Sequence, residues 1–193
     1  KGLVLKFAMG MAASKKTFKK VLIILQPENS VSIANRVFKH PYLFVACGFG
    51  VGLIRPGPGT WGTLLALPMH YLLSLSLSVE LLLLFWIVMF LVGIKVCAVS
   101  ETILGHSDHS AIVIDEIVAY GMILALIPEN LICHVLGFIV FRIFDIVKPF
   151  GIRRIDQRVK GGLGVMLDDL VAAAYTLCVL SVIIVTLTAL GIQ

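Results

Sequence analysis

The chain is poor in charge. Only 14% of its 193 residues are Asp, Glu, Lys or Arg, against about 25% in an ordinary soluble domain. Its cysteines, Cys47, Cys97, Cys133 and Cys178, stand far apart and form no CxxC pair. That excludes a zinc ribbon and a disulfide framework, and leaves them as small apolar fillers. The five histidines form no HExxH and no close ligand pair in sequence; His106 and His109 read as exposed loop residues, with proton shuttling as the alternative. Gly48-Phe49-Gly50-Val51-Gly52 lacks the GxGxxG spacing and a following acid, so it does not mark a dinucleotide site. No aromatics are interleaved with the basic clusters. Nucleic acid is therefore not expected as a partner, despite a net charge of +5.

What fills the chain is apolar: 59% of residues, with a mean hydropathy of +1.03. A single domain of this size cannot hide that much apolar side chain. A soluble monomer and a disordered chain are excluded, and a polytopic membrane protein is expected. Hydropathy marks five runs, 61–79, 81–99, 111–128, 131–147 and 165–190, most of them near the ~20 residues that cross a bilayer as helix. In lipid only a helix satisfies its own backbone groups. The expected fold is an all-α bundle of about five transmembrane helices. A short Gly-rich segment, 42–54, is added as a re-entrant, interfacial or broken-helix element.

The basic residues set the orientation. The turns between runs one and two and between three and four carry Glu80 and Glu129 and no base. The loop after run four holds Lys148, Arg153, Arg154, Arg158 and Lys160, and Lys95 lies near the end of run two. By the positive-inside rule these basic regions and the N-terminus belong on the cytoplasmic side. The chain opens on Lys1, and Met9 or Met11 is a candidate start. Lys15, Lys16, Lys19 and Lys20 precede an apolar stretch, 21–25, too short for a signal peptide. Residues 1–40 are expected to be a basic, weakly ordered or surface-lying extension able to hold anionic lipid. Residues 41–193 are expected to form a single membrane-embedded domain.

Once the loop acids Glu28, Glu80 and Glu129 are set aside, the remaining carboxylates gather at one end of the runs. Asp115 and Glu116 fall four and five residues into run three. Asp145 is near the end of run four, and Asp168 and Asp169 fall in the first turn or so of run five. Carboxylates inside apolar segments are costly and functional by default. Five of them from three helices at one depth can converge on a hard cation such as Mg²⁺. Simpler readings remain for the pieces: Asp168-Asp169 also suits a helix N-terminus, and Asp145 also suits an ion pair with Arg142 at i,i+3. Arg142 lies inside run four, with Lys148 and Arg153 following. Metal-holding carboxylates beside bases for phosphate oxygens is the chemistry of phosphoryl transfer. Thr60, after Pro56-Gly57-Pro58-Gly59, either caps a helix or helps cradle an anion.

Several phosphoryl-transfer motifs are missing. The Arg of Cys-x5-Arg would fall at Leu53, and Asp-x-Asp, Ser-Gly-His and Asp-Gly-x2-Ala-Arg are absent. A transporter would carry its polar groups near the bilayer midplane, whereas these lie at one end. A lipid phosphotransferase would need a nucleotide-activated donor.

Four ordered motifs are present instead: Gly57-Pro58-Gly59-Thr60-Trp61-Gly62-Thr63, Asp108-His109-Ser110-Ala111-Ile112-Val113-Ile114-Asp115-Glu116, Phe141-Arg142-Ile143-Phe144-Asp145-Ile146-Val147-Lys148-Pro149 and Gly161-Gly162-Leu163-Gly164-Val165-Met166-Leu167-Asp168-Asp169. Together they closely resemble the phosphatidylglycerophosphatase A family over roughly residues 41–190. Ala119 and Thr63 depart from its commoner Gly and Ser. The resemblance implies an integral enzyme of the bacterial inner membrane with its site facing the cytoplasm. Its implied reaction is Mg²⁺-dependent hydrolysis of phosphatidylglycerophosphate to phosphatidylglycerol and phosphate. The expected metal set is Asp115, Glu116, Asp168 and Asp169, with Asp108 and Asp145 close by as further catalytic carboxylates. Arg142, Lys148, Arg153 and Thr60 are expected on the phosphate. The expected partners are the phospholipid substrate and membrane lipid, with no obligate protein partner evident.

Overall fold

Each of the five apolar runs holds one helix in a computed structural model of the chain. The structure describes residues 30–106, 109–149, 151–152 and 158–190, and all regular structure among them is helical. The chain divides into residues 1–35 and 36–193. Residues 1–29 of the expected extension lie outside the described residues, and the rest of it includes a helix, α1 (Ser30–Lys39).

The Gly-rich segment breaks into two short pieces. Helix α2 (Pro41–Ala46) is followed by a 3₁₀ stretch (Gly48–Leu53) in which Phe49 and Gly50 take positive φ. Of the alternatives open for this segment, the broken helix describes its backbone. The five long helices follow: α3 (Pro58–Ser74), α4 (Val79–Leu104), α5 (Ile114–Leu126), α6 (Leu131–Val147) and α7 (Gly162–Ala189).

The ends have local causes. Pro58 sits in the first turn of α3, where its missing N–H costs nothing. Gly105 closes α4 in the left-handed conformation, its N–H donating to the Glu101 carbonyl at 2.8 Å. The Asn130 side chain caps α6 by accepting the Cys133 N–H at 2.8 Å. Helix α4 runs five residues past the apolar run that marks it, which brings Glu101 inside the helix. Helix α5 starts three residues later than its run. Residues 109–113 are held instead by a turn and by a hydrogen bond from Val113 N–H to the Ala46 carbonyl at 2.9 Å.

Helix α5 is the centre of the bundle. It is 13 residues long, and all of Ile117–Ala125 is buried, with α3, α4, α6 and α7 packed around it. The approach of α4 depends on Gly121, because a methyl there would run into the Trp86 indole, itself fully buried. Small residues allow such contact where apolar side chains alone give little drive for helices to associate.

Helices α4 and α7, at 26 and 28 residues, are long and apolar enough to cross a membrane. Only 28% and 22% of their most apolar stretches are buried, so they differ from core helices of a soluble protein. Leu91 of α4 and Val182 and Val185 of α7 all stand exposed. At 17, 13 and 17 residues, α3, α5 and α6 are shorter than the ~20 of a full span.

Gly121→Leu is expected to force Trp86 from α5 and cost more than about 1–3 kcal/mol, seen as a lower thermal midpoint in detergent micelles. Gly137→Ala is the control. Its methyl meets only contacts of 3.4 Å or more, so the midpoint should hold or rise.

Candidate active site

Three of the five long helices begin at one end of the bundle, and the other two end there. The N-termini of α3, α5 and α7 meet the C-terminal parts of α4 and α6 around a cavity of roughly 530 Å³. Three positive helix ends favour negative charge in the space between them. The side chains there are more acidic than basic. Glu101, Asp115, Glu116, Asp145, Asp168 and Asp169 line the cavity with Arg142, Lys148 and Lys160.

The carboxylates fall into two kinds. Asp145 and Asp168 each have a base. Asp145 pairs with Arg142 at 2.6 Å, and Lys148 bonds Asp168. Asp115, Glu116 and Asp169 form a triad, each offering an oxygen within 4.8 Å of the others'. Among the described residues no basic side chain pairs with Asp115 or Asp169, and Glu116 meets Arg142 only at 3.6 Å. Asp115 Oδ1 and Glu116 Oε2 are buried and receive no hydrogen bond. Three clustered carboxylates, two of them with a buried oxygen that receives no hydrogen bond, fit a divalent cation of the Mg²⁺ kind. Asp168 stands apart from the triad, on Lys148, although it neighbours Asp169 in sequence.

The depths also differ from expectation. Because α5 begins at Ile114, Asp115 and Glu116 are its second and third residues, at the mouth of the helix rather than four and five residues in. Because α7 begins at Gly162, Asp168 and Asp169 lie in its second turn rather than its first, and both are buried.

Arg142 is held from three helices. Its Nη1 contacts Asp145 on α6, Glu116 on α5, and Thr63 Oγ1 on α3 at 3.3 Å. Thr63 can accept because its own proton goes to the Gly59 carbonyl one turn back, at 2.9 Å. Gly59 is needed there, since a side chain would strike Glu116 Oε1 and crowd Arg142. The guanidinium Nε is buried and has no acceptor, a donor turned to no protein group. Lys148 closes α6 in the left-handed conformation, φ 48°, strained for a residue with a side chain. That backbone accompanies the ion pair from its Nζ to Asp168 on α7.

Thr60 does not line the cavity; its hydroxyl lies beside Gly57. Asp108 and Arg153 lie outside the described residues. The cavity adds residues beyond the expected site set, among them Glu101, one of the carboxylates expected at this end of the runs. Glu101 falls past the apolar part of α4. Thr63 was visible only as a motif member, four residues after Gly59. His109, read as an exposed loop residue, is buried and lines the cavity, its Nδ1 accepting the Ala111 N–H at 3.1 Å. His106 is exposed.

Fold and site together define an all-helical protein with a recessed acidic cavity and a buried guanidinium beside it, an arrangement suited to a hard cation and an anion at once. The chain belongs to the phosphatidylglycerophosphatase A family, whose model matches residues 44–184, and it is accordingly a hydrolase of the phosphatase class. It is 40% identical over 154 residues to phosphatidylglycerophosphatase A of Haemophilus influenzae, covering 79% of this chain and 91% of that protein. It is 36% identical over 152 residues to the Escherichia coli protein of the same name, covering 78% and 88%. A protein of Bacteroides thetaiotaomicron named putative phosphatidylinositol-3-phosphatase is 33% identical over 147 residues, covering 72% and 91%. No solved structure matches the chain significantly.

Thr63→Val removes one acceptor of Arg142 without adding bulk. Losing a hydrogen bond to a charged group, worth about 1.5–3 kcal/mol, should lower phosphatase turnover about 10- to 100-fold, while Thr63→Ser should keep most of it. Steady-state phosphate release at matched folded protein reads the difference.

Proposed function

We propose that the chain hydrolyses the phosphomonoester of phosphatidylglycerophosphate, giving phosphatidylglycerol and phosphate, with Mg²⁺ as cofactor, at the cytoplasmic face of a bacterial inner membrane. The observation that carries this is the meeting of the Asp115–Glu116–Asp169 triad with Arg142 in one cavity ringed by three helix N-termini, in a chain whose relatives carry that activity in their names.

Asp115, Glu116 and Asp169 would hold the cation, with Asp168 exchanging its Lys148 contact to join them. Mg²⁺ bound there supplies a Lewis acid for a phosphate oxygen and makes water more acidic. The remaining work belongs to the protein. Arg142 presents its guanidinium to the cavity, and Asp145 and Thr63 fix the plane of that group so that little reorganisation is needed as charge builds on the phosphoryl oxygens. Lys148 and Lys160 add positive charge at the rim. The N-terminal amides of α3 complete an anion cradle, the role first read for Thr60. Asp108 and Arg153 are proposed to join the acids and the bases respectively. One carboxylate takes the proton from the attacking water.

The membrane reading goes with the chemistry. All five long helices are placed in the bilayer, the cavity opening where lipid head groups lie, so that a substrate keeps its acyl chains in the leaflet. The outward apolar residues of α4 and α7 support this, as does the grouping of the basic loops at the cavity end. Residues 41–193 act as one membrane-embedded unit, and the basic residues before them hold anionic lipid.

Purified protein in mixed micelles is expected to release phosphate from phosphatidylglycerophosphate with Mg²⁺ and to stop with EDTA. Asp115→Asn and Asp169→Asn should each lower turnover at least 100-fold, and Arg142→Lys about 100- to 1,000-fold. Full activity in both carboxylate variants would sink the site, and no Mg²⁺-dependent phosphate release from the parent protein would sink the function. Orientation has its own test in a cysteine-free background. Lys160→Cys should react with an impermeant maleimide only from the cytoplasmic side of membrane vesicles, and Glu129→Cys only from the other.

A further inference from the structure

His109 is the histidine of the acidic cavity. It opens the non-helical stretch that leads into α5, and it is held there twice. Its Nδ1 accepts the Ala111 N–H at 3.1 Å, and its carbonyl accepts the Ile112 N–H at 2.8 Å. The residues behind it, Ala111, Ile112 and Val113, are all buried. The broken-helix segment clamps the same stretch. Val113 N–H donates to the Ala46 carbonyl, and a side chain on Gly52 would strike the Ala111 carbonyl.

The bond to Ala111 fixes the tautomer of the ring. A backbone N–H can only donate, so the Nδ1 that meets it carries a lone pair and no proton. A neutral imidazole has one donor and one acceptor, and its proton then sits on Nε2. A ring that lines a cavity while its Nδ1 is taken by its own backbone has an N–H to offer there. His70 and His134 lack this arrangement. They line a second cavity, of roughly 450 Å³, at the far end of the bundle. Both ring nitrogens of His70 and Nε2 of His134 are buried without a hydrogen-bond partner.

We propose that His109 is a further catalytic residue, donating its Nε2–H to a phosphoryl oxygen of the substrate in the acidic cavity. This rests on the phosphatase reading above. A phosphomonoester is rich in acceptors, and a cavity lined by six carboxylates is poor in donors left over for it. Cationic donors there are drawn into ion pairs, as Arg142 is with Asp145 and Lys148 with Asp168. A neutral N–H on a fixed ring is drawn far less by the acids. Because the ring is held by its own backbone, the donor is in place before charge builds on the phosphoryl oxygens. No proton is transferred in this role, which separates it from a proton shuttle.

Two substitutions separate the donor from the backbone bond. In His109→Asn the side-chain oxygen takes the place of Nδ1, which keeps the Ala111 bond and loses the donor. In His109→Gln the amide takes the place of Nε2, which keeps the donor and loses the Ala111 bond. With the full chain in mixed micelles at saturating Mg²⁺, His109→Asn should lower kcat/KM for phosphatidylglycerophosphate about 10- to 100-fold, with its thermal midpoint unchanged. His109→Gln should stay within about fivefold of the parent. A purely structural role predicts the reverse order. Nitrogen NMR of the parent with isotope-labelled histidine reads the ring directly, the His109 signals being identified by their loss in either variant. Nε2 should carry the proton and Nδ1 none, and the Nε2 signal should move saturably as inorganic phosphate is added. Full activity in His109→Asn, a greater loss in His109→Gln, a protonated Nδ1, or an Nε2 signal indifferent to phosphate would each overturn the proposal. A parent protein that releases no phosphate overturns the phosphatase reading instead, whereas these results in an active parent overturn the role of His109 alone.

Discussion

A guanidinium inside an apolar bundle must find its acceptors on the helices around it, and Arg142 finds them on three. Asp145 on its own helix, Glu116 on α5 and Thr63 on α3 each hold one side of the same charge. An arginine cannot shed its proton to escape burial, so the helices that bring those acceptors must stay where they are. Removing one partner would strand the charge, which is far costlier than the pair is stabilising. Gly59 belongs to the same constraint, because only a residue without a side chain lets α3 come this close to Glu116 and Arg142. Arg142 and one triad carboxylate are thus fixed by a single contact network.

The short central helix explains why the acids gather where they do. Helix α5 is almost wholly buried and only 13 residues long, and its first turn carries Asp115 and Glu116. A helix beginning at Ala111 would put a further turn of backbone in front of them at the open end of the cavity. The non-helical stretch 109–113 prevents that, held by the hydrogen bond from Val113 to Ala46. The broken-helix segment before α3 therefore helps to set the depth of the site, although it contributes no side chain to the triad.

How much of this was legible in the sequence follows from what each signal measures. Hydropathy found the five helices because their apolar character runs nearly unbroken, and it matched both ends of α6 but not of the other four, because it follows apolar side chains and not backbone hydrogen bonds. Glu101 lay beyond run two for that reason, although backbone hydrogen bonding carries α4 on to Gly105. The gathering of Asp115, Glu116 and Asp169 was legible from their shared position at one end of their helices. Their separation from Asp168 was not, because adjacent residues on a helix point about 100° apart and only the partner, Lys148, shows which way each faces. The two readings of Asp145, ion pair or site residue, are not exclusive: it pairs with Arg142 and lines the cavity. Thr63 and His109 were named in the sequence but not given these places, because the places rest on hydrogen bonds, to Gly59 and from Arg142 in one case and from Ala111 in the other. Spacing alone does not reveal such bonds.

Helix polarity gives the two ends of the bundle different chemistry before any side chain is chosen. With α3, α5 and α7 starting at the acidic cavity and α4 and α6 ending there, that end carries an excess of positive helix termini, which stabilises negative charge there. The far end has the opposite balance, two starts against three finishes, and disfavours anions. A carboxylate triad would be costly there, whereas neutral imidazoles would not. The chain accordingly places its buried acids at one end and its buried, unpartnered histidines at the other. An odd number of alternating helices forces this asymmetry, and removing one helix from the bundle would abolish it.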